Sequence, residues 1–314
     1  MVGDLFERRL VLVSGKGGVG KTAVAAALAL EAARRGKRVL LAQANARPRL
    51  GRFLDARDPD ETVRELRPGL FAVNMTPREA IHEYGLMVLK FERLYKIVFE
   101  NKLTRNFMRA IPGLDEWAML GKAWFHATET AGKRPRWDLV LLDGMATGHF
   151  LAMLRMPQAI LQAAPEGPLT RDAKAAQAML TDARACAAVL VTLAEEMPVN
   201  EAVDLHRALT GELGVTVAGL VVNAVHPRLF LGERRQAFDA LAAAGAADDP
   251  VAGEAVRAAR WRTSLRALND AYLARLEKEI PGRRAVLPLL ARREFGLAEI
   301  DELRGHVVAG LAAT

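Results

Sequence analysis

The chain has 314 residues, 51% hydrophobic and 26% charged, which is enough to fill the core of one large α/β domain and too apolar for a disordered chain. Its single cysteine, Cys186, excludes an intramolecular disulfide and a cysteine-rich zinc site, and this usage suits a reducing compartment. A net charge of +7 raises the question of an anionic partner. The basic clusters Arg34, Arg35, Lys37, Arg38 and Arg257, Arg260, Arg262, Arg266 come without aromatic stacking residues or a groove-reading motif. Both read as solvated helix faces, leaving no firm case for nucleic acid or membrane. No apolar run reaches the ~20 residues that a spanning helix needs. Met1 to Arg9 carries Asp4, Glu7, Arg8 and Arg9 in place of a signal peptide's apolar centre, so the expected location is cytoplasmic.

In chain order, Leu10-Val11-Leu12-Val13 reads as a buried strand, and Lys21 to Arg35 as an alanine-rich helix stopped by Gly36. Further strands are expected at Val39 to Ala42, Leu70 to Val73, Leu139 to Leu142, Ala187 to Thr192, Val215 to Val222 and Ala285 to Leu287. Strands alternating with helices predict an α/β fold, a mainly parallel, doubly wound sheet flanked by helices. From Arg78 to Thr130 no strand pattern occurs. There Ile81, Met87, Phe91, Leu94 and then Leu103, Phe107 and Ile111 recur at mostly helical spacing, followed by the turn Pro112-Gly113. This predicts an inserted helical subdomain at about 78–131, its apolar stripe packing against a core. A short helical continuation is expected at about 150–185, within a single domain spanning 1–314, and Ala243 to Gly253 reads as a surface loop.

Gly15-Lys16-Gly17-Gly18-Val19-Gly20-Lys21-Thr22 matches G-x-x-x-x-G-K-[ST] between a predicted strand and a predicted helix. Glycines let the backbone turn its N–H groups onto phosphates, and the N-terminus of the following helix, from Ala23 onward, favours anions. Lys21 is expected on the β- and γ-phosphates of ATP, and Thr22 on Mg²⁺. Asp138-Leu139-Val140-Leu141-Leu142-Asp143 is an apolar strand ending in a carboxylate suited to hold Mg²⁺ through water. Lys21, Lys16 and Asp143 are therefore the candidate catalytic residues, with Thr22 and Asp143 as the metal pair.

With its extra lysine at Lys16, the loop resembles the deviant phosphate loop of ArsA, the tail-anchored-protein targeting ATPase, MinD, ParA and the nitrogenase iron protein. The resemblance implies a P-loop NTPase fold in which Lys16 reaches a partner's nucleotide, in a homodimer or in a heterodimer with a related ATPase. Asp143-Gly144-Met145-Ala146-Thr147-Gly148-His149 is similar to the D-T-A-P-T-G-H switch of the ArsA and tail-anchor branch, departing at Gly144, Met145 and Ala146. Ile111-Pro112-Gly113-Leu114-Asp115-Glu116 and Val191-Thr192-Leu193-Ala194-Glu195-Glu196 resemble two further segments of that branch, a helical-lobe P-G-x-D-E and a strand-end V-T-x-P-E-E. Asn223 with Pro227 resembles its adenine pocket, and Leu287-Pro288-Leu289-Leu290 a segment closing over the base, so Asn223, Pro227 and Pro288 are implied base contacts.

The same resemblance fails at the first switch, where those families carry S-T-D-P-A-H and this chain reads Ala42-Gln43-Ala44-Asn45-Ala46-Arg47. With strand ends aligned, Ala44 stands in place of the water-orienting aspartate, and alanine cannot accept a proton. Gln43 or Asn45 remains available to position water. The expectation is an ArsA-like ATPase, slow or partner-dependent, that acts as a nucleotide-driven dimeric switch on an unknown protein client. The alternatives are a hydrolysis-deficient subunit paired with an active paralogue and a MinD- or ParA-like positioning ATPase. Cys186 alone cannot reproduce a metalloid site built from several cysteines, and the interval from His149 to the strand near Val189 leaves room for one or two helices.

Overall fold

The computed structural model describes residues 4–44, 46–89, 113–244 and 250–311. Among them, eight strands form one sheet: β1 Leu10–Gly15, β2 Val39–Ala44, β3 Arg64–Arg67, β4 Leu70–Met75, β7 Leu139–Ala146, β8 Cys186–Leu193, β9 Val217–Val225 and β10 Arg284–Pro288. A two-residue hairpin of β5 Thr130–Ala131 and β6 Arg134–Pro135 lies outside it. The large sheet runs in the order β10-β9-β8-β1-β7-β2-β4-β3, and every pairing in it is parallel except β3 with β4. β3 is the strand that hydropathy does not announce. Its sequence, Arg-Glu-Leu-Arg, is charged because it lies at the sheet edge with only one neighbour.

The helices are α1 Lys21–Arg34, α2 Leu50–Phe53, α3 Pro77–Leu89, α4 Leu114–Thr128, α5 Thr147–Ala163, α6 Pro168–Thr181, α7 Glu196–Arg207, α8 Glu233–Ala244, α9 Pro250–Glu279 and α10 Leu297–Leu311. α1 and α10 cover one sheet face, with Val11, Val13, Leu41, Leu141 and Val189 beneath them. The other face, carrying Leu12, Leu40, Leu142 and Leu190, is covered by α4, α5, α6 and α7. Central strands buried on both sides explain why β1, β2 and β8 read as continuous apolar runs rather than alternating ones.

Of the interval expected to form a helical subdomain, residues 90–112 lie outside the described set; α3 and α4 stand on either side of it. Ala243 to Gly253 is not a plain loop. Residues 243–244 end α8 and Pro250 opens α9, where proline suits a first helical position because its missing N–H would be unsatisfied there anyway. The first basic cluster is also not simply solvated. Arg34 pairs with Asp301 at 2.9 Å, Arg35 with Glu31 and Asp4, and Lys37 with Glu7, while the Arg38 guanidinium lies 4.6 Å from the Phe71 ring centre.

Candidate functional site

Parallel β1, β7 and β2 end side by side, and their register puts Val13 and Gln43 on either side of Asp143. Side chains alternate across a strand, so Asp143 and Gln43 fall on the same face as Leu141 and Leu41, the face that carries α1. Asp143 is buried and accepts a hydrogen bond from Gln43 Nε2 at 3.1 Å, and the Thr22 hydroxyl is close enough to draw its pKa down. Burial pushes its carboxyl above the ordinary carboxylate range, against the pull of Thr22, Gln43 and the Lys21 charge. Ala44 belongs to the other face. Its methyl group is buried in the cluster that contains Ala42, Met75 and Trp117, so the described β2 side chain beside the phosphate loop is Gln43. Asn45 lies outside the described residues. The backbone of Ala46 is held by Asn74, whose side chain accepts from Ala46 N at 3.0 Å and donates to Ala46 O at 2.8 Å.

Beyond β1 the loop carries Gly15, Lys16, Gly17, Gly18, Val19 and Gly20 to the first turn of α1, which holds Lys21, Thr22 and Ala23. Lys21 Nζ donates to Gly15 O at 3.1 Å and Lys16 O at 3.0 Å, closing the loop on itself. Burial lowers the Lys21 pKa, opposed by the charges of Asp143 and Glu201. Lys16 Nζ forms an ion pair with Glu201, a residue of α7 that motif reading does not single out. The other oxygen of Glu201 accepts from Thr147 Oγ1 at 3.3 Å. No local signal marks Glu201. It lies six residues beyond Glu195 and reaches the loop only through the packing of α7 against the sheet.

The segment after Asp143 departs from the expected signature for a geometric reason. A Cβ on Gly144 would stand 2.7 Å from Val13 O and 3.2 Å from the Phe150 ring, so threonine does not fit there without moving β1 or α5. His149 is exposed and its Nδ1 lies 3.5 Å from Glu116 in the first turn of α4, which joins the two signature segments.

Asn223, Pro227 and Pro288 come together at neighbouring strand ends. Pro288 is in register with Val225, and Leu289 N donates to Val225 O at 2.9 Å. The Asn223 amide is committed to the protein itself: Nδ2 donates to Val19 O at 2.9 Å and Oδ1 accepts from Ala224 N at 2.8 Å. Gly20 has φ +96°, and a Cβ there would be 2.2 Å from Asn223 Nδ2, so conformation and contact both require glycine. Buried Asn269 of α9 clamps this end. It accepts from His226 N and donates to Ala194 O, both at 2.9 Å, bridging the ends of β9 and β8. A groove of about 520 Å³ at the far end of α1, lined by Leu30, Arg34, Arg67 and Leu297, lies away from all these groups.

A glycine-rich loop between β1 and α1, with its lysine, its threonine and a buried aspartate in the neighbouring strand β7, defines a P-loop NTPase. Residues 8–165 match the anion-transporting ATPase family. The chain belongs to that ArsA-type family of ATPases. It is 29% identical over 253 residues to an arsenical pump-driving ATPase of Acidiphilium multivorum, covering 74% of this chain and 41% of the pump ATPase. It is 28% identical over 253 residues to an arsenical pump-driving ATPase of Escherichia coli, again 74% of this chain and 41% of the relative. The ATPase BagA of Mycobacterium tuberculosis is 27% identical over 234 residues, 68% of this chain and 64% of BagA. The chain thus spans less than two thirds of the length of each of these relatives. No helix of the described residues is long and apolar enough to cross a membrane.

Proposed function

We infer that this chain binds ATP with Mg²⁺ on the loop Gly15 to Thr22 and uses the bound nucleotide to switch the arrangement of two associated subunits, working on a protein client. The observation that carries the reading is the convergence of Lys21, Thr22, Gln43 and Asp143 on one face of the sheet at the end of the loop. The residues fit the group. Nothing lies within 4 Å of where a Cβ would stand on Gly17 or Gly18, which leaves the outer side of the loop open to phosphates. The Thr22 hydroxyl and the Asp143 carboxylate form the hard oxygen pair that Mg²⁺ prefers.

When bound, Mg²⁺ would neutralise charge on the phosphates. Lys21 holds the loop carbonyls now and would turn to the phosphates, while Gln43 keeps Asp143 oriented toward Thr22. Gln43 can also present its amide oxygen to a water, which supports slow or partner-stimulated hydrolysis. The homodimer or heterodimer rests on family resemblance at Lys16, and a cytoplasmic setting on the lone, fully buried cysteine.

A second reading, a hydrolysis-deficient subunit paired with an active paralogue, is favoured by the amide of Gln43 beside Asp143, since an amide cannot take a proton from water. Phosphate release by the purified chain decides between them. Turnover with Mg²⁺, alone or with a related subunit, that disappears in Lys21→Ala of this chain supports the ATPase; ATP binding without turnover alone, and turnover beside a related subunit that survives Lys21→Ala, supports the second reading. Failure to bind ATP at all overturns both.

A further inference from the structure

Glu201 of α7 has two side-chain partners on other elements. One carboxylate oxygen takes the Lys16 ammonium, the other the Thr147 hydroxyl. Lys16 belongs to the loop and Thr147 opens α5 directly after the Asp143 strand. A carboxylate bridging an ammonium and a hydroxyl offers what a phosphate offers, two acceptor oxygens with negative charge. Its charge also reaches Lys21, where it opposes the effect of burial.

The carboxylate is presented from firm ground. Val199, Ala202 and Val203 bury the inner face of α7, and the neighbouring Asn200 accepts from Arg275 Nη1 of α9 at 2.8 Å. Lys16 and Glu201 each leave about a third of the side chain exposed, at 32% and 33%, so an incoming anion can reach the pair. With α7 fixed, exchange of partners moves the loop and the start of α5. Lys16, Lys21, Asp143 and Glu201 balance to zero formal charge; an added polyphosphate faces Glu201 as a like charge unless Lys16 changes partner.

We propose that Glu201 is an internal placeholder for phosphate, holding Lys16 and Thr147 until a nucleoside polyphosphate takes them over and so tying the loop to α5 in the nucleotide-free chain. The proposal rests on the nucleotide reading given above and adds to it the residue that opposes binding.

The test is a titration of the full chain with a fluorescent ATP analogue and Mg²⁺, comparing wild type, Glu201→Gln, Lys16→Ala and the double variant. Glu201→Gln removes both the competing ion pair, which is weak because a third of each side chain is exposed, and a like charge facing the polyphosphate, so it is expected to lower Kd about 3- to 10-fold. Most of that gain should vanish in the Lys16→Ala background. Acylation of Lys16 in the nucleotide-free chain, measured by mass spectrometry, should be faster in Glu201→Gln than in wild type.

Unchanged or weaker binding by Glu201→Gln, a full gain retained without Lys16, or unchanged Lys16 acylation overturns the placeholder alone. A wild-type chain that binds no analogue overturns the nucleotide reading, and the placeholder with it.

Discussion

The two ends of the site, the loop proposed to hold phosphate (the phosphate end) and the strand ends proposed to hold the base (the base end), are built in opposite ways. At the phosphate end eight consecutive residues supply the loop, and each pairing there involves a charged group: Lys21 on the loop's own carbonyls, Lys16 on Glu201 of α7, and Gln43 of β2 on Asp143. At the base end Asn223, Pro227, Pro288 and Asn269 come from three separate stretches, and neutral amides bonded to backbone do the work. A charged loop can exchange its partners for a ligand at small net cost. An amide clamp on buried backbone cannot let go without leaving unsatisfied groups. The first end is suited to change with ligand and the second to keep its shape, and they meet at Asn223, which packs against Gly20 and donates to Val19 O.

The largest expected effect lies at the phosphate end. Lys21→Ala should lower Mg²⁺-dependent phosphate release by at least about 100-fold, the scale on which loss of one charge-stabilising donor acts in a preorganised site. Activity retained within a few-fold would break the assignment of that end. At the base end, Asn269→Ala leaves His226 N and Ala194 O without partners. Each unsatisfied buried group costs about 1–3 kcal/mol, so urea denaturation should show a loss of about 2–4 kcal/mol.

The contact between the ends is tested by Gly20→Ala, which imposes a left-handed conformation and a clash. The expected destabilisation is about 2–3 kcal/mol. Asn223→Ala itself loses the amide's bonds to Val19 O and Ala224 N, but the double variant removes the clash and should be more stable than the sum of the two single losses by about 1 kcal/mol; strict additivity would mean that the ends are not coupled there.

The smallest effect belongs to neither end. His126 in α4 is buried, with Nε2 unpaired and Nδ1 beside Glu129, and burial holds its pKa below the ordinary 6.5 despite that carboxylate. The unfolded chain therefore takes the proton more readily. This contribution is constant above pH 6.5 and is lost as pH falls below it. His126→Gln should give a shallower acid-side loss of stability in melts from about pH 7.5 to about pH 5.5, and nucleotide affinity should not change with it.

The asymmetry between the ends also explains what is legible in the sequence. The loop is contiguous, and its residue types have few other uses, so Gly15 to Thr22 and Asp143 can be read directly. The apolar runs mark β1, β2, β7, β8 and β9, because strands buried largely on both faces leave continuous hydrophobic text, while β4 and the edge strand β10 show as shorter apolar runs with half-buried or exposed positions between buried ones. That same burial removes the alternation that would show Gln43, not Ala44, facing the loop. β3 escapes notice because an edge strand looks polar. Glu201 and Asn269 are single polar residues in helices, and only tertiary packing brings them to the strand ends. The departure at Gly144 is visible, but its cause is not, since the crowding comes from Val13 O and Phe150.

The Asn269 bridge has a consequence for how the chain could be cut. Residues 227–232 lie largely exposed between β9 and α8, the kind of segment a protease enters first. A nick there would not free β9, whose end would stay moored through His226 N and the buried amide of Asn269 to Ala194 O beside β8. The cleaved molecule would travel as one particle under native conditions and separate into two fragments only in denaturant. In mechanical terms α9 is a splint across the break, and a single side chain is its pin.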